Sequence, residues 1–127
     1  MLYQDILNSA IRMLGECNGN TSDYEERAAY LLSTFCSDRL SLDMKYRTVQ
    51  GETPTRPSIP VKVTLTDEFP LCEAFAPAAI YYLASMLVLE ENEDISERLF
   101  EHYSDSISAI RAELFAIRNT KNRYPLA

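Results

Sequence analysis

The longest uncharged run of the chain, AFAPAAIYYLASMLVL at residues 74–89, constrains the fold more than any other feature. Its sixteen residues are fewer than the roughly 20 that an α-helix needs to cross a bilayer, so we expect no membrane-spanning helix. A helix of this sequence would carry apolar side chains on all sides, which predicts that other elements bury most of its surface. We therefore predict that it is the central helix of the fold, with Ile80, Leu83 and Leu87 in the core.

Apolar residues at helical spacing elsewhere in the chain predict further helices, so we expect a mainly α fold built as a small four-helix bundle. The predicted helices lie at residues 2–15, 22–41, 74–91 and 94–118. The last one follows an acidic turn, and Asp94 is its predicted N-cap. Its apolar residues recur in a heptad-like seam, which can pack on helices of the same chain or on those of a neighbour. The members of this seam are Phe100, Tyr103, Ile107, Ile110, Leu114 and Ile117.

The segment between the second and third predicted helices, residues 44–66, has a different pattern. QGETPTRPSIP has no helical period and predicts a proline-rich loop. The following VKVTLT alternates apolar and polar residues, which predicts a short β-strand, and Met44–Val49 could pair with it in a hairpin. A strand with a free edge can add to a sheet of a neighbouring copy. The candidate interface residues in this strand are Val61, Lys62, Val63, Thr64 and Leu65.

Charge is distributed unevenly along the chain. The net charge of −7 disfavours a general nucleic-acid-binding protein, because phosphate contacts need clustered Lys and Arg. Residues 1–118 form the predicted single domain, which is acidic, and residues 119–127 form a basic tail. An acidic body with a basic tail suits head-to-tail contact between copies, which closes into a ring when the rotation permits. The candidate interface residues near this tail are Arg118, Lys121, Arg123 and Tyr124.

Residue types that carry out catalysis or bind metals are scarce. The single histidine, His102, is predicted to lie on the polar side of the last helix, as an exposed side chain rather than a general base. The three cysteines, Cys17, Cys36 and Cys72, are widely spaced and predict free thiols rather than a zinc site or a disulfide framework. Phosphate-binding and hydrolase motifs are absent from the sequence. We therefore predict no enzymatic activity, no metal and no cofactor.

Residues 67–114 resemble the C-terminal half of the small head–tail connector, or adaptor, proteins of tailed bacteriophages and prophages. The resemblance begins with an acidic-aromatic-proline start, DEFPL at residues 67–71, and continues with the step YLA at residues 82–84. An acidic turn then leads to a long last helix that carries Tyr103 and Ile110. The resemblance implies a mostly helical subunit that forms a ring beneath the portal protein.

In that family role, the ring lengthens the DNA channel and offers a platform to stopper or tail proteins. The resemblance also implies that a terminal segment docks into the portal, which fits residues 117–127 by position and charge. The protein would be made in the cytoplasm of a bacterial host and would work in the virion, with DNA passing only as cargo. Alternatives are a head-completion or tail-terminator protein and, less favoured by the acidic second helix, a small DNA-packaging protein similar to a terminase small subunit.

Overall fold

The computed structural model describes residues 1–15 and 22–123, with side chains through residue 118. Its four α-helices are α1 (Tyr3–Met13), α2 (Ser22–Val49), α3 (Ala76–Val88) and α4 (Glu93–Arg123), and a 3₁₀ turn at Glu73–Phe75 leads into α3. The described ranges contain no β-strand. The prediction of a mainly helical fold is confirmed, and α3 contacts each of the other three α-helices.

α3 is the central helix, and its apolar sequence explains why. Leu83 and Leu87 are fully buried and Ile80 is half-buried. Pro77 is the second residue of the helix, where its missing N–H removes no intrahelical hydrogen bond. Within residues 1–15 and 22–123, no helix is long and apolar enough to cross a membrane.

α2 continues to Val49 instead of ending at residue 41, so the predicted strand at Met44–Val49 is wrong. Gly51, two residues past the end of the helix, terminates it with a φ of +94°, a left-handed conformation that glycine adopts without steric cost. The N–H groups of Gly51 and Glu52 bond carbonyls of the last helical turn, at 3.0 Å each. This pattern is a Schellman end, and the glycine that makes it was visible in the sequence as a helix-stop signal.

Asp43, near the end of α2, is buried and holds the segment that leads into α3. One of its carboxylate oxygens accepts the backbone N–H of Cys72 at 2.7 Å, and the other accepts Nε of Arg47 at 3.1 Å. Arg47 also donates to the carbonyl of Pro70 at 3.2 Å. The buried carboxylate is thereby compensated, as burial of a charge requires, and residues 70–72 are fixed against α2.

Residues 61–62 are a bend, residues 63–64 have no regular structure and residues 65–66 form a turn, so the predicted β-strand at this position is also wrong. Residues 52–60 before it carry neither helix nor strand. The backbone of this region bonds helix ends instead of another strand, because N–H groups in the first turn of α1 donate to the carbonyls of Leu65 and Asp67. A helix leaves those N–H groups without partners of its own, so the extended segment completes the start of α1.

α4 begins at Glu93, and its N-cap is Asn92 rather than the predicted Asp94. Oδ1 of Asn92 accepts the N–H of Ile95 at 3.1 Å. The buried seam also differs at two predicted positions, because Leu99 takes the place of Phe100 and Ile117 is only half-buried. Leu99 and Phe100 both lie about one turn before Tyr103, and packing against α3 selects Leu99. The buried residues of α4 are Ser96, Leu99, Tyr103, Ile107, Ile110 and Leu114.

Candidate interaction surface

An open apolar groove lies between the end of α3 and the first turns of α4. Leu89 and Phe100 line it with 48% and 43% of their surface exposed, and Met86 beside them is half-buried. The groove has a volume of about 360 Å³. Exposed large apolar side chains around one groove make it a candidate surface for binding a partner. The lining residues are Ser85, Met86, Leu89, Ser96, Glu97, Phe100 and Glu101.

Two buried serines at the base of the groove bond each other. Ser85 Oγ donates to the Ser96 carbonyl at 2.9 Å, and Ser96 Oγ donates to the Ser85 carbonyl at 2.9 Å. The small side chains let α3 and α4 approach closely, and they leave the space above them unfilled. Because both hydroxyls are already satisfied, the groove offers apolar contact rather than unpaired polar atoms.

One turn earlier in α3, aromatic side chains close the contact between the same two helices. The rings of Tyr82 and Tyr103 lie 5.3 Å apart, and Phe35 of α2 lies 5.6 Å from the Tyr82 ring. Arg39 of α2 covers Tyr103, donating from Nε to the phenol oxygen at 3.0 Å with its guanidinium carbon 5.4 Å from the ring centre. α2 therefore covers this end of the helix pair, whereas none of the residues that line the groove comes from α2.

Arg27 of α2 fixes the end of α3 next to the groove. Its guanidinium donates to the carbonyls of Met86 and Leu87, at 3.0 and 3.5 Å. The last carbonyls of a helix lack intrahelical hydrogen-bond donors and carry partial negative charge. An arginine supplies both the missing donors and a compensating positive charge. This contact holds the backbone immediately before Leu89 and so maintains the shape of the groove wall.

Carboxylates surround the groove. Glu97 and Glu101 line it and are exposed, the turn between α3 and α4 adds Glu90 and Glu91, and Glu93 is the first residue of α4. Acidic residues near the start of α4 complement the positive end of the helix dipole. Together they also give this end of the molecule a negative potential, which attracts basic partners.

The interface predicted at residues 61–65 is divided between surface and core. Val61 is 81% exposed, whereas Val63 is buried and its N–H donates to the Ala29 carbonyl of α2. Lys62 is exposed and lies over the ring of Tyr30 at 5.6 Å. Val63 is therefore unavailable to a neighbouring subunit without rearrangement. The other two candidates are an exposed Thr64 and a half-buried Leu65.

The predicted basic tail is partly helical, because α4 continues to Arg123. Arg118 is exposed and lines a shallow groove with residues from the end of α2. The side chains of Lys121 and Arg123 lie outside the described part of the chain, and Tyr124 lies outside it altogether. Arg118 and the backbone of residues 119–123 are at the opposite end of α4 from the apolar groove.

The histidine and cysteine side chains lie in different surroundings. His102 is exposed and stacks on Tyr81, with ring centres 5.1 Å apart. Cys36 is buried, and burial raises the pKa of its thiol to about 12, which keeps it protonated and unreactive. Cys72 is a half-buried free thiol, and Cys17 lies outside the described residues. Among the residues that the structure describes, no cluster of three or more His, Cys, Asp or Glu could hold a metal ion.

Comparisons of the chain with protein-family models, curated proteins and solved structures found no match in any of the three. Function is therefore inferred from the geometry of the described residues and from the resemblance of residues 67–114.

Sequence reasoning missed the groove because it assigned Phe100 to the buried seam and Leu89 to the buried run. A signal was nevertheless present, since Leu89 stands directly before a run of carboxylates. The small residues that form the base also interrupt the apolar pattern. Ser85 lies three residues before the last residue of α3, and Ser96 lies three residues after the first residue of α4. Their contact across the helix pair becomes visible only in three dimensions.

Proposed function

We propose that this protein is a non-enzymatic structural subunit, a head–tail connector of a tailed bacteriophage or prophage. Its copies assemble as a ring under the portal protein, extend the DNA channel and join the head to stopper or tail proteins. It is made in the host cytoplasm and works at the head–tail junction of the virion, where DNA passes as cargo.

The observation that carries this proposal is the open groove between α3 and α4. The groove lies within residues 67–114, the run that resembles the connector proteins. Exposing Leu89 and Phe100 to water forgoes the stabilisation that burial of apolar surface brings, whereas assembly would bury both side chains. Unfilled apolar surface on a folded subunit therefore favours a protein that works as part of an assembly.

Charge and helix length are also consistent with a channel subunit. A net charge of −7 disfavours retention of the polyanionic duplex, because like charges repel. α2 and α4 have 28 and 31 residues, which at 1.5 Å per residue gives lengths of about 42 and 46 Å. Helices of this length suit a subunit that extends a channel.

Native mass spectrometry of the full chain over a concentration series tests the proposal. A connector should give one closed ring, of about a dozen copies if it follows the symmetry of the portal. Negative-stain images of the same sample should show a central channel. A chain that stays monomeric or dimeric to the highest concentration would contradict ring assembly, and a stable dimer would favour a head-completion or regulatory protein.

A further inference from the structure

We propose that the groove between α3 and α4 receives the basic segment 119–127 of a second copy of this chain. The inference deepens the proposed function, on which it rests for the expectation that copies assemble. It names the two surfaces that meet, which are the start of α4 in one copy and the end of α4 in the next. It also assigns the basic segment to a neighbouring subunit rather than to the portal.

The groove combines apolar walls with an acidic rim. Leu89 and Phe100 form the walls, and the exposed Glu97 and Glu101 form the rim. A segment that fills this groove needs an aromatic or aliphatic side chain for the walls and positive charge for the rim. The apolar contact would supply most of the affinity, and the charges would set orientation and specificity.

Residues 119–127, NTKNRYPLA, carry both features. Lys121 and Arg123 supply positive charge, and the segment contains no acidic residue. Tyr124 and Leu126 follow with an aromatic and an aliphatic side chain. Arginine forms strong charge-assisted hydrogen bonds to carboxylates, and tyrosine is enriched at the centres of interfaces.

The basic residues cannot reach the groove of their own chain. α4 is one continuous helix from Glu93 to Arg123, so Lys121 lies about 36 Å along the axis from Glu97 at 1.5 Å per residue. Tyr124 follows Arg123 directly, and one further residue extends the chain by no more than about 3.8 Å. Each copy therefore carries a groove and a complementary segment that it cannot bring together by itself, so the segment that fills the groove in this proposal belongs to a second copy.

Each copy gives one basic segment and accepts one, and the groove and the segment are different surfaces of the chain. Where the contact repeats from copy to copy, it closes into a ring when the rotation permits. Two copies related by a two-fold axis can instead exchange their segments reciprocally, so binding of the segment tests the contact itself and the mass of the assembly distinguishes a dimer from a ring.

Binding of a labelled peptide to the full chain tests the contact without requiring ring formation. The peptide has the sequence of residues 117–127, and the receptor carries Lys121→Glu and Arg123→Glu so that the tails of other receptor molecules do not compete for the groove. Fluorescence anisotropy should show saturable binding. Adding Leu89→Ser to the receptor should weaken binding about tenfold or more, because it removes an apolar wall.

Ile95→Ser in the same receptor is the matched control. Ile95 is 42% exposed, close to the 48% of Leu89, and it does not line the groove. Binding should be unchanged by this substitution. Equal binding by the two receptors, or no saturable binding to the receptor with an intact groove, would overturn the inference. Circular dichroism checks each fold, and Phe100→Ser replaces Leu89→Ser if the latter fails to fold.

Exchange of charge tests the same contact during assembly of the full chain. Reversing the groove with Glu97→Lys and Glu101→Lys, or the tail with Lys121→Glu and Arg123→Glu, should abolish assembly in either chain alone. An equimolar mixture should restore it, because every groove in the mixture then has a complementary tail. Sedimentation velocity measures all three samples.

The outcomes separate this inference from the proposed ring. Rings that persist in both reversed chains would overturn the inference and leave the connector proposal standing. Peptide binding that depends on Leu89, in a wild-type chain that forms no ring, would support the inference and contradict the connector proposal. A mixture that fails to assemble, when wild type assembles, would overturn the inference.

Discussion

α3 and α4 form one helix pair with two different ends. At the closed end, Tyr82 and Tyr103 are buried under side chains of α2. At the open end, Leu89 and Phe100 remain almost half exposed above two small serines. Both ends come from similarly apolar stretches of sequence, and the difference is the third helix that covers one of them.

This difference teaches that an apolar sequence predicts the need for a packing partner but not where the partner comes from. The closed end finds its partner within the chain, and burial there contributes to the stability of the monomer. The open end lacks such a partner among the described residues, so its apolar surface contributes little until another molecule covers it. Substitutions at the two ends should therefore act on different quantities.

The largest expected loss of stability is at the centre of α3. Leu83→Ala should lower the free energy of unfolding by about 2–5 kcal/mol, because it leaves a cavity at a fully buried site. Urea denaturation followed by circular dichroism measures the change. Ile80→Ala in the same helix is the control and should cost clearly less, because Ile80 is only half-buried. Equal losses at the two positions would show that α3 is not packed as described.

The pH dependence of the free energy of unfolding should show that the Cys36 thiol is buried away from water. Burial raises the pKa of this thiol from about 9 to about 12, so above pH 9 the unfolded chain binds fewer protons than the folded chain. The stabilisation is complete below pH 9 and is lost as the pH rises, by up to about 1.4 kcal/mol per pH unit. Urea titrations between about pH 8 and 10 compare wild type with Cys36→Ala, because ionisation of unfolded tyrosines, whose ordinary pKa is about 10, affects both proteins alike and largely cancels from the difference in slope.

Cys36→Ala should have a lower free energy of unfolding at neutral pH, because it loses buried volume, but a flatter dependence on pH. The difference in slope is the informative quantity, because the cavity itself does not titrate. Identical slopes in the two proteins would contradict the description of Cys36 as a buried thiol.

The serine pair at the base of the groove should have a smaller effect. Ser85→Ala should cost about 1 kcal/mol, because it removes the hydroxyl that donates to the carbonyl of Ser96. Ser96→Ala should cost about as much, because its hydroxyl donates to the carbonyl of Ser85. Each acceptor is a backbone carbonyl that the other substitution leaves in place, so the two losses should be nearly additive, with only the 3.2 Å contact between the hydroxyl oxygens to couple them. A double-mutant cycle of unfolding free energies measures both losses, and no loss at either position would argue against the bonded pair.

The helices were predictable from sequence because their apolar periodicity is strong. The heptad spacing of α4 and the uncharged run of α3 both identified helices that the structure contains. The segment at residues 61–66 was misread because alternation of Val61, Val63 and Leu65 is equally compatible with an extended chain that bonds helix ends. The end of α2 was misplaced because the Gly51 stop signal was overlooked in favour of that strand.

The groove could be predicted only in part. Heptad spacing placed the seam of α4 correctly from Tyr103 to Leu114, but spacings of three and four residues are both compatible with one helical turn. Whether Leu99 or Phe100 faces α3 depends on contacts between helices that are distant in sequence. The acidic residues near the start of α4 and the basic residues near its end could be read from the sequence. Only the structure shows that one continuous helix separates them.

Substitution of the exposed side chains at the open end should have the smallest effect on stability. It also gives the most direct test of whether the open end is the surface through which copies assemble. Sedimentation velocity of full-length wild type, Leu89→Ser and Ile95→Ser should be compared at matched concentrations. Both substitutions should change the free energy of unfolding by about 1 kcal/mol or less, since both side chains are largely exposed. Leu89→Ser should abolish the assembled species, and Ile95→Ser should keep it. Assembly of the Leu89→Ser protein to the same extent as wild type would contradict the account.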